Sequence, residues 1–119
     1  INYRPNKKYD LIVTISTLEH VGWDESPREP MKSLQAIKNL ESLLSKEGKL
    51  VITVPLGHNP VMDQLFENGK ISFTTAAYLK RISKDNRWQE ADLNEVRGMK
   101  YNHPFPAANG LFVGVIEKN

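Results

Sequence analysis

Two apolar runs divide the first half of the chain and predict the centre of its fold. The segment YDLIVTIS covers residues 9–16, and the segment KLVITVP covers residues 49–55. Neither run alternates cleanly between apolar and polar positions, which is typical of strands buried on both faces of a parallel sheet. Both segments are therefore predicted to be central strands with helices packed against them.

The segment between these two runs has the periodicity of a helix. Its apolar residues recur at steps of three and four, and most of its charged residues lie off this stripe. The apolar positions are Leu34, Ile37, Leu40, Leu43 and Leu44. We predict a helix over residues 30–46, with Pro30 at its first position and Gly48 just past its end. A strand, a helix and a strand in this order form a right-handed unit with parallel strands.

The second half of the chain is predicted to add a short helix and antiparallel strands. The pair Asn59-Pro60 starts a helix with the sequence VMDQLFEN, and Gly69 ends it. The turn SKDN separates AAYLKRI from RWQEAD, which predicts a hairpin, although TTAAYLKRI also fits a helical turn. GMKYNHPFPAANG is predicted to be a loop, and residues 111–117 a final strand. The fold class is therefore α/β, in a single domain over residues 1–119.

Composition excludes several classes of function. The 119 residues include 16 lysines and arginines and 14 acidic residues, and the basic residues are interleaved with acidic ones. This distribution does not predict a nucleic-acid surface. The absence of cysteine excludes a thiolate nucleophile and a cysteine zinc site. No apolar run approaches the roughly 20 residues that cross a bilayer, and no signal peptide is visible. We expect a cytoplasmic protein that binds neither nucleic acid nor membrane.

Polar side chains follow both predicted parallel strands. The segments STLEH (residues 16–20) and PLGHN (residues 55–59) stand at the carboxyl ends of these strands. Ligands of open α/β sheets bind beyond such ends, so both segments are predicted to line one crevice. His20 can act there as a base, because its ordinary pKa is near neutrality, and Glu19 can orient it. Alternatively, His20 packs against the loop, Glu19 is solvated, and Asn59 caps the following helix.

The three histidines show no ligand spacing with carboxylates, so no metal site is predicted. His103 is flanked by prolines and predicted to lie at the surface. The aromatic residues are predicted to pack in the core or a lid, with stacking on a sugar as the alternative. These residues are Trp23, Trp88, Tyr101 and Phe105.

Taken together, these motifs resemble class I S-adenosylmethionine-dependent methyltransferases. The matching segments are YDLI in a fourth strand, LEH in the loop after it, and EGK before a fifth strand. The C-terminal strand is similar to the antiparallel seventh strand of that family. The resemblance covers residues 7–57, and the run from ISTLEHVG to PFPAANG resembles methyltransferase-like proteins of surface-polysaccharide gene clusters. It implies a partial Rossmann-like sheet.

The resemblance also implies roles for individual residues. S-adenosylmethionine would be the cofactor of the intact domain, and the methyl acceptor would be a small molecule, with a saccharide preferred. The candidate residues are Ser16, Thr17 and Leu18 for the cofactor, Leu56, Gly57, His58 and Asn59 for the acceptor, and His20 and Glu19 for catalysis. For Ser16, Thr17 and Leu18, the alternative role is to end the strand.

The chain departs from that family because it contains no G-x-G turn, whose small residues let backbone N–H groups reach the cofactor. We therefore expect the C-terminal half of a methyltransferase domain, which binds S-adenosylmethionine weakly or not at all and is inactive alone. Strand 9–16 would have an unpaired edge, which predicts a homo-oligomer or pairing with a missing N-terminal half. Two alternatives stay open: a non-catalytic module that self-associates through this strand, and a nucleotide-binding Rossmann half. The latter does not explain the LEH and PLG loops.

Overall fold

The computed structural model describes residues 7–118, which form an α/β fold with a mixed, open sheet of five strands. The elements are β1 (Tyr9–Ile15), a 3-10 turn (Leu18–His20), α1 (Lys32–Ser42), β2 (Leu44–Pro55), α2 (Pro60–Glu67), β3 (Thr75–Arg81), β4 (Trp88–Ala91), α3 (Leu93–Val96) and β5 (Gly110–Glu117). Their order across the sheet is β1-β2-β5-β3-β4. None of the helices in this part of the chain has the length and apolar character needed to cross a bilayer.

The strand pairings confirm the coarse prediction of the fold. β1 and β2 are parallel, with Ile12 opposite Leu50, and β5 lies antiparallel to β2. The hairpin is also confirmed, because β3 and β4 pair antiparallel with Tyr78 opposite Ala91. The alternative of a helical turn for TTAAYLKRI was therefore wrong.

The predicted end of the first helix was wrong. α1 ends at Ser42 rather than residue 46, and Gly48 lies within β2 rather than past a helix. The N–H of Tyr9 donates to the Leu43 carbonyl at 2.9 Å, and the Lys8 ammonium donates to the Ser42 carbonyl at 2.6 Å. These donors satisfy carbonyl groups that would otherwise be left free at the helix end. Leu43 and Leu44, whose spacing also fits the helix, therefore lie outside it, and Leu44 is the first residue of β2.

The described core lies between one face of the sheet and the helices. Its residues alternate along β2 and β5, as the two-residue period of a strand requires. Phe112 of β5 is 2% exposed and stacks on Phe66 of α2, with ring centroids 4.0 Å apart. Sheet residues of this core are Leu50, Ile52, Val54, Phe112 and Ile116, and helical residues are Ala36, Ile37, Met62, Leu65 and Phe66.

The opposite face of β1 is exposed, which corrects the prediction that this strand is buried on both faces. Leu11, Val13 and Ile15 are 60%, 48% and 68% exposed, whereas Ile12 packs against the core. The physical reason is that side chains alternate between the faces of a strand, and in the described residues the core packs on only one face. β1 is also an edge strand, paired with β2 alone within residues 7–118.

Candidate functional site

The chain segments after β1 and β2 lie side by side. Ser16 has a positive φ of 50° and its N–H donates to the Thr53 carbonyl at 2.9 Å, so the chain turns directly after β1. The 3-10 turn Leu18–His20 follows, and the rings of His20 and His58 approach to 4.6 Å between centroids. The parallel pairing of the two strands therefore brings both histidines to one edge of the sheet.

Asn59 joins the two segments. Its side chain is fully buried, and its Oδ1 accepts a hydrogen bond from the N–H of Met62 at 3.1 Å. This bond makes Asn59 the N-cap of α2. Its Nδ2 also donates to the Glu19 carbonyl at 3.1 Å, a second role that the sequence did not indicate. One amide thus fixes the 3-10 turn against the start of α2.

Gly57 allows a third segment to approach the site. Its φ is +89°, and a Cβ at this position would stand 2.5 Å from the Met99 carbonyl oxygen. A side chain is therefore excluded both by conformation and by space. The close approach places the Tyr101 ring 5.6 Å from the ring of His58. Tyr101 thus stands at the candidate site rather than in the core, and it is 38% exposed.

Asp24 connects the two histidines and was missed by the sequence analysis. Its Oδ2 is in hydrogen-bond contact with Nδ1 of His20, and its Oδ1 lies 3.1 Å from Nε2 of His58. These hydrogen bonds hold the pKa of Asp24 below its usual value. Asp24 follows His20 by four residues, a spacing that could have indicated the pair. We call His20, Asp24 and His58 the histidine–aspartate cluster.

Glu19 lies behind this cluster and is buried, not solvated. It is 1% exposed, and its Oε2 stands 3.4 Å from Nε2 of His20. Burial raises the pKa of this carboxyl, while the hydrogen bond from its own backbone and the nearby histidines act in the opposite direction. Its second oxygen, Oε1, has no hydrogen-bond partner among the described residues. Removing a carboxylate from water without full compensation costs free energy, so the burial of Glu19 is unfavourable with the protein groups alone.

The remaining candidates divide into exposed and buried positions. Ser16 and Thr17 are exposed, and the Thr17 hydroxyl donates to the Ile15 carbonyl at 3.0 Å, which helps to end β1. Leu18 and Leu56 are 2% and 6% exposed and belong to the core, so their side chains serve packing. His103 is exposed, as predicted, and is not part of the histidine–aspartate cluster.

A cavity of about 180 Å³ is lined in part by Leu56 and Pro60, which flank Gly57 and His58 in the sequence. Asp63 of α2 reaches into its wall and accepts a hydrogen bond from the N–H of Gly57 at 2.8 Å. Burial raises the pKa of Asp63 to about 6, and the hydrogen bond from Gly57 offsets part of this effect. Tyr78, Val96 and Arg97 also line this cavity.

The raised pKa of Asp63 gives a testable pH dependence. Because its folded-state pKa of about 6 exceeds the ordinary 3.8, the folded chain binds this proton more tightly than the unfolded chain. The stabilisation is complete below about pH 4 and is lost as pH rises through 6, a loss of about 1–2 kcal/mol after solvent screening. Asp63→Asn should remove this contribution and be more stable than the wild type at pH 8. Urea unfolding of both proteins between pH 4 and 8 measures this difference in the free energy of unfolding.

The control is Asp85→Asn, which alters an exposed aspartate in the turn between β3 and β4. It should keep the wild-type slope of stability against pH. If Asp63→Asn and Asp85→Asn show the same slope, the burial of the Asp63 carboxyl has no energetic consequence.

No protein-family model matches this sequence, and no curated protein is significantly similar to it.

Proposed function

We propose that this chain provides one wall of an S-adenosylmethionine-dependent methyltransferase site, on a partial Rossmann-like sheet. The observation that carries the proposal is the convergence of His20, Asp24 and His58 at the carboxyl ends of β1 and β2. Ligands of open α/β sheets bind beyond these ends. The resemblance of the YDLI, LEH and EGK segments to class I methyltransferases supports the same assignment.

Methyl transfer to a hydroxyl group has requirements that the histidine–aspartate cluster can meet. As the acceptor oxygen forms its bond to the methyl carbon, the sulfur–methyl bond breaks, and the hydroxyl proton must leave. Two imidazoles and a carboxylate can assist by accepting this proton or by holding the oxygen that carries it. His58, whose Nε2 faces Asp24, can accept this proton at its Nδ1. His20 has a carboxylate at each ring nitrogen, Glu19 at one and Asp24 at the other, and it holds Asp24 in position. A saccharide is the preferred acceptor class.

The cofactor would lie against the exposed backbone after β1. Ser16 and Thr17 are accessible there, and Leu18 fixes the turn by packing into the core. The chain offers no G-x-G turn to hold the cofactor from the other side. We therefore expect weak but measurable binding by this chain, with a dissociation constant of about 1 mM.

Equilibrium dialysis with S-adenosylmethionine labelled in its methyl group tests this proposal. Thr17→Lys should weaken retention about fivefold or more, because a long cationic side chain fills the space and repels the positive sulfonium. Thr75→Lys, at an exposed position on β3, is the matched control and should leave retention unchanged. Absence of retention at several millimolar cofactor, or equal effects of the two variants, would contradict the proposal. ATP as competitor tests the alternative of a nucleotide-binding half.

A second candidate function is an interaction module that pairs with another copy of itself. It is favoured by the exposed apolar face of β1, where Leu11 and Ile15 are more than half exposed on an edge strand. Open apolar edges tend to pair with another chain. Val13→Lys should shift a dimer towards monomer, whereas Ile82→Lys, at a position of similar exposure (48% and 49%), should not. Light scattering measures the oligomeric state of both variants and of the wild type. A wild-type monomer at every concentration would contradict this function.

A further inference from the structure

We infer that His20, Asp24 and His58 form a binding site for one divalent transition-metal ion, with Zn²⁺ as the best-suited ion. The three residues come from the two segments that follow β1 and β2. One ligand atom from each, an imidazole nitrogen or a carboxylate oxygen, lies within 4.8 Å of the other two. The site is thus assembled by the convergence of the two strand ends.

The spacing of these atoms is close to what a bound ion requires. Zinc binds imidazole nitrogen and carboxylate oxygen at about 2.0–2.2 Å, so tetrahedral ligand atoms stand roughly 3.4 Å from one another. Nε2 of His58 and Oδ1 of Asp24 are 3.1 Å apart, and Asp24 contacts His20 through its other oxygen. A small outward shift of the exposed Asp24 carboxylate would admit an ion between the three groups.

Glu19 supplies a second, independent observation. A histidine that binds a metal through one ring nitrogen commonly donates its other N–H to a carboxylate. His20 presents Nδ1 to the cluster, while its Nε2 stands 3.4 Å from Oε2 of Glu19. Glu19 is 1% exposed, and its Oε1 lacks a partner among the described residues. A cation bound at Nδ1 of His20 would compensate the charge of the Glu19 carboxylate, which the protein groups alone leave incompletely paired.

The donor set selects the class of ion. Imidazole nitrogens suit zinc and its neighbours in the first transition row, whereas Mg²⁺ and Ca²⁺ prefer sites made of oxygen alone. Three protein ligands leave a fourth position for water or a ligand, as in catalytic rather than structural zinc sites. If the proposed methyltransferase function holds, an acceptor hydroxyl would take this position, and the ion would ease the loss of its proton. That consequence depends on the proposed function, but the metal site itself does not.

Calorimetric titration of Zn²⁺ into the full 119-residue chain tests the site. We expect one equivalent to bind with a dissociation constant on the order of 1–10 μM. His58→Ala and Asp24→Asn should each weaken binding at least about thirtyfold, and Glu19→Gln about tenfold through loss of the support for His20. His103→Ala is the matched control, since it removes an exposed histidine outside the cluster. Asp24 is exposed, so its replacement should leave the circular dichroism spectrum and the urea midpoint unchanged.

Three results would overturn the inference: no binding tighter than 1 mM, equal weakening by His103→Ala and His58→Ala, or equal affinity for Mg²⁺ and Zn²⁺. Cobalt as a probe adds a spectroscopic check, because a nitrogen-containing tetrahedral site gives Co²⁺ strong visible absorption. Zinc binding without retention of S-adenosylmethionine would reject the methyltransferase proposal alone, and retention without zinc binding would reject the metal site alone.

Discussion

Replacing Phe112 by alanine is expected to lower the free energy of unfolding by about 3–5 kcal/mol, the range observed for a fully buried phenylalanine. Phe112 is 2% exposed and stands at the centre of an aromatic group. Its ring stacks on Phe66 at 4.0 Å and meets Phe73 and Tyr78 edge-on at 5.0 and 5.4 Å between centroids. Alanine would leave a cavity where β5 meets α2. Since small domains have about 5–15 kcal/mol in total, much of the stability would be lost.

Urea unfolding measures this effect, with two variants for comparison. Phe112→Leu keeps most of the volume and should cost less than the alanine variant, so it gives a value even if Phe112→Ala does not fold. Phe105→Ala removes a half-buried ring that packs under the Arg81 guanidinium at 5.1 Å, and about 1 kcal/mol is expected. If Phe112→Ala costs no more than Phe105→Ala, the core is not centred on β5 and α2.

Replacing Gly22 by alanine is expected to have the second largest effect, about 3 kcal/mol, combining a left-handed backbone with a steric clash. Its φ is +74°, and an added Cβ would stand 2.2 Å from the Glu29 carbonyl oxygen and 2.7 Å from Cβ of Lys32. Relief requires movement of the loop between Gly22 and Glu29, and this loop carries Asp24. The variant should therefore also weaken Zn²⁺ binding.

Gly69→Ala separates the cost of the left-handed backbone from the cost of the steric clash. Gly69 has a similar φ of +70°, but no atom lies within 4 Å of the position of its added Cβ. This variant should show only the conformational cost, about 1–2 kcal/mol, and should keep wild-type zinc affinity. Equal destabilisation by the two substitutions in urea unfolding would mean that Gly22 is needed for its conformation alone.

The sequence predicted the elements whose signals are local and strong. The apolar run 9–16 was recognised as a strand, and the SKDN turn placed the hairpin. The end of α1 was missed because Leu43 and Leu44 fit the helical stripe as well as the sheet. Hydrogen bonds from the remote residues Lys8 and Tyr9 decide between the two, and such bonds leave no trace in a local pattern.

The faces of β1 show a second limit of sequence reasoning. An uninterrupted apolar run favours burial on both sides, but the described residues pack a core against only one. Leu11, Val13 and Ile15 therefore remain apolar and exposed. Whether a strand face is covered depends on other elements, and composition along the strand cannot reveal it.

The candidate site was predicted in part. The rule for ligands of parallel strands placed STLEH and PLGHN at one edge, and His20 and His58 are adjacent there. Asp24 was missed although it follows His20 by four residues, because the path of the loop after the 3-10 turn decides whether this spacing brings the two side chains together. The burial of Glu19 was missed because a carboxylate in a loop is usually solvated. Both residues change the chemistry that the two histidines can support.

We propose that the chain segment after β1 contacts the methyl donor. Mapping backbone amide shifts in ¹⁵N-labelled protein, during titration with S-adenosylhomocysteine, tests it most directly. We expect the largest shifts at Ser16, Thr17 and Leu18, with smaller ones at Gly57 and His58. We also expect none on β3 or β4. Shifts confined to the exposed face of β1, or to the cavity beside Asp63, would contradict the claim, as would the absence of any shift at several millimolar ligand.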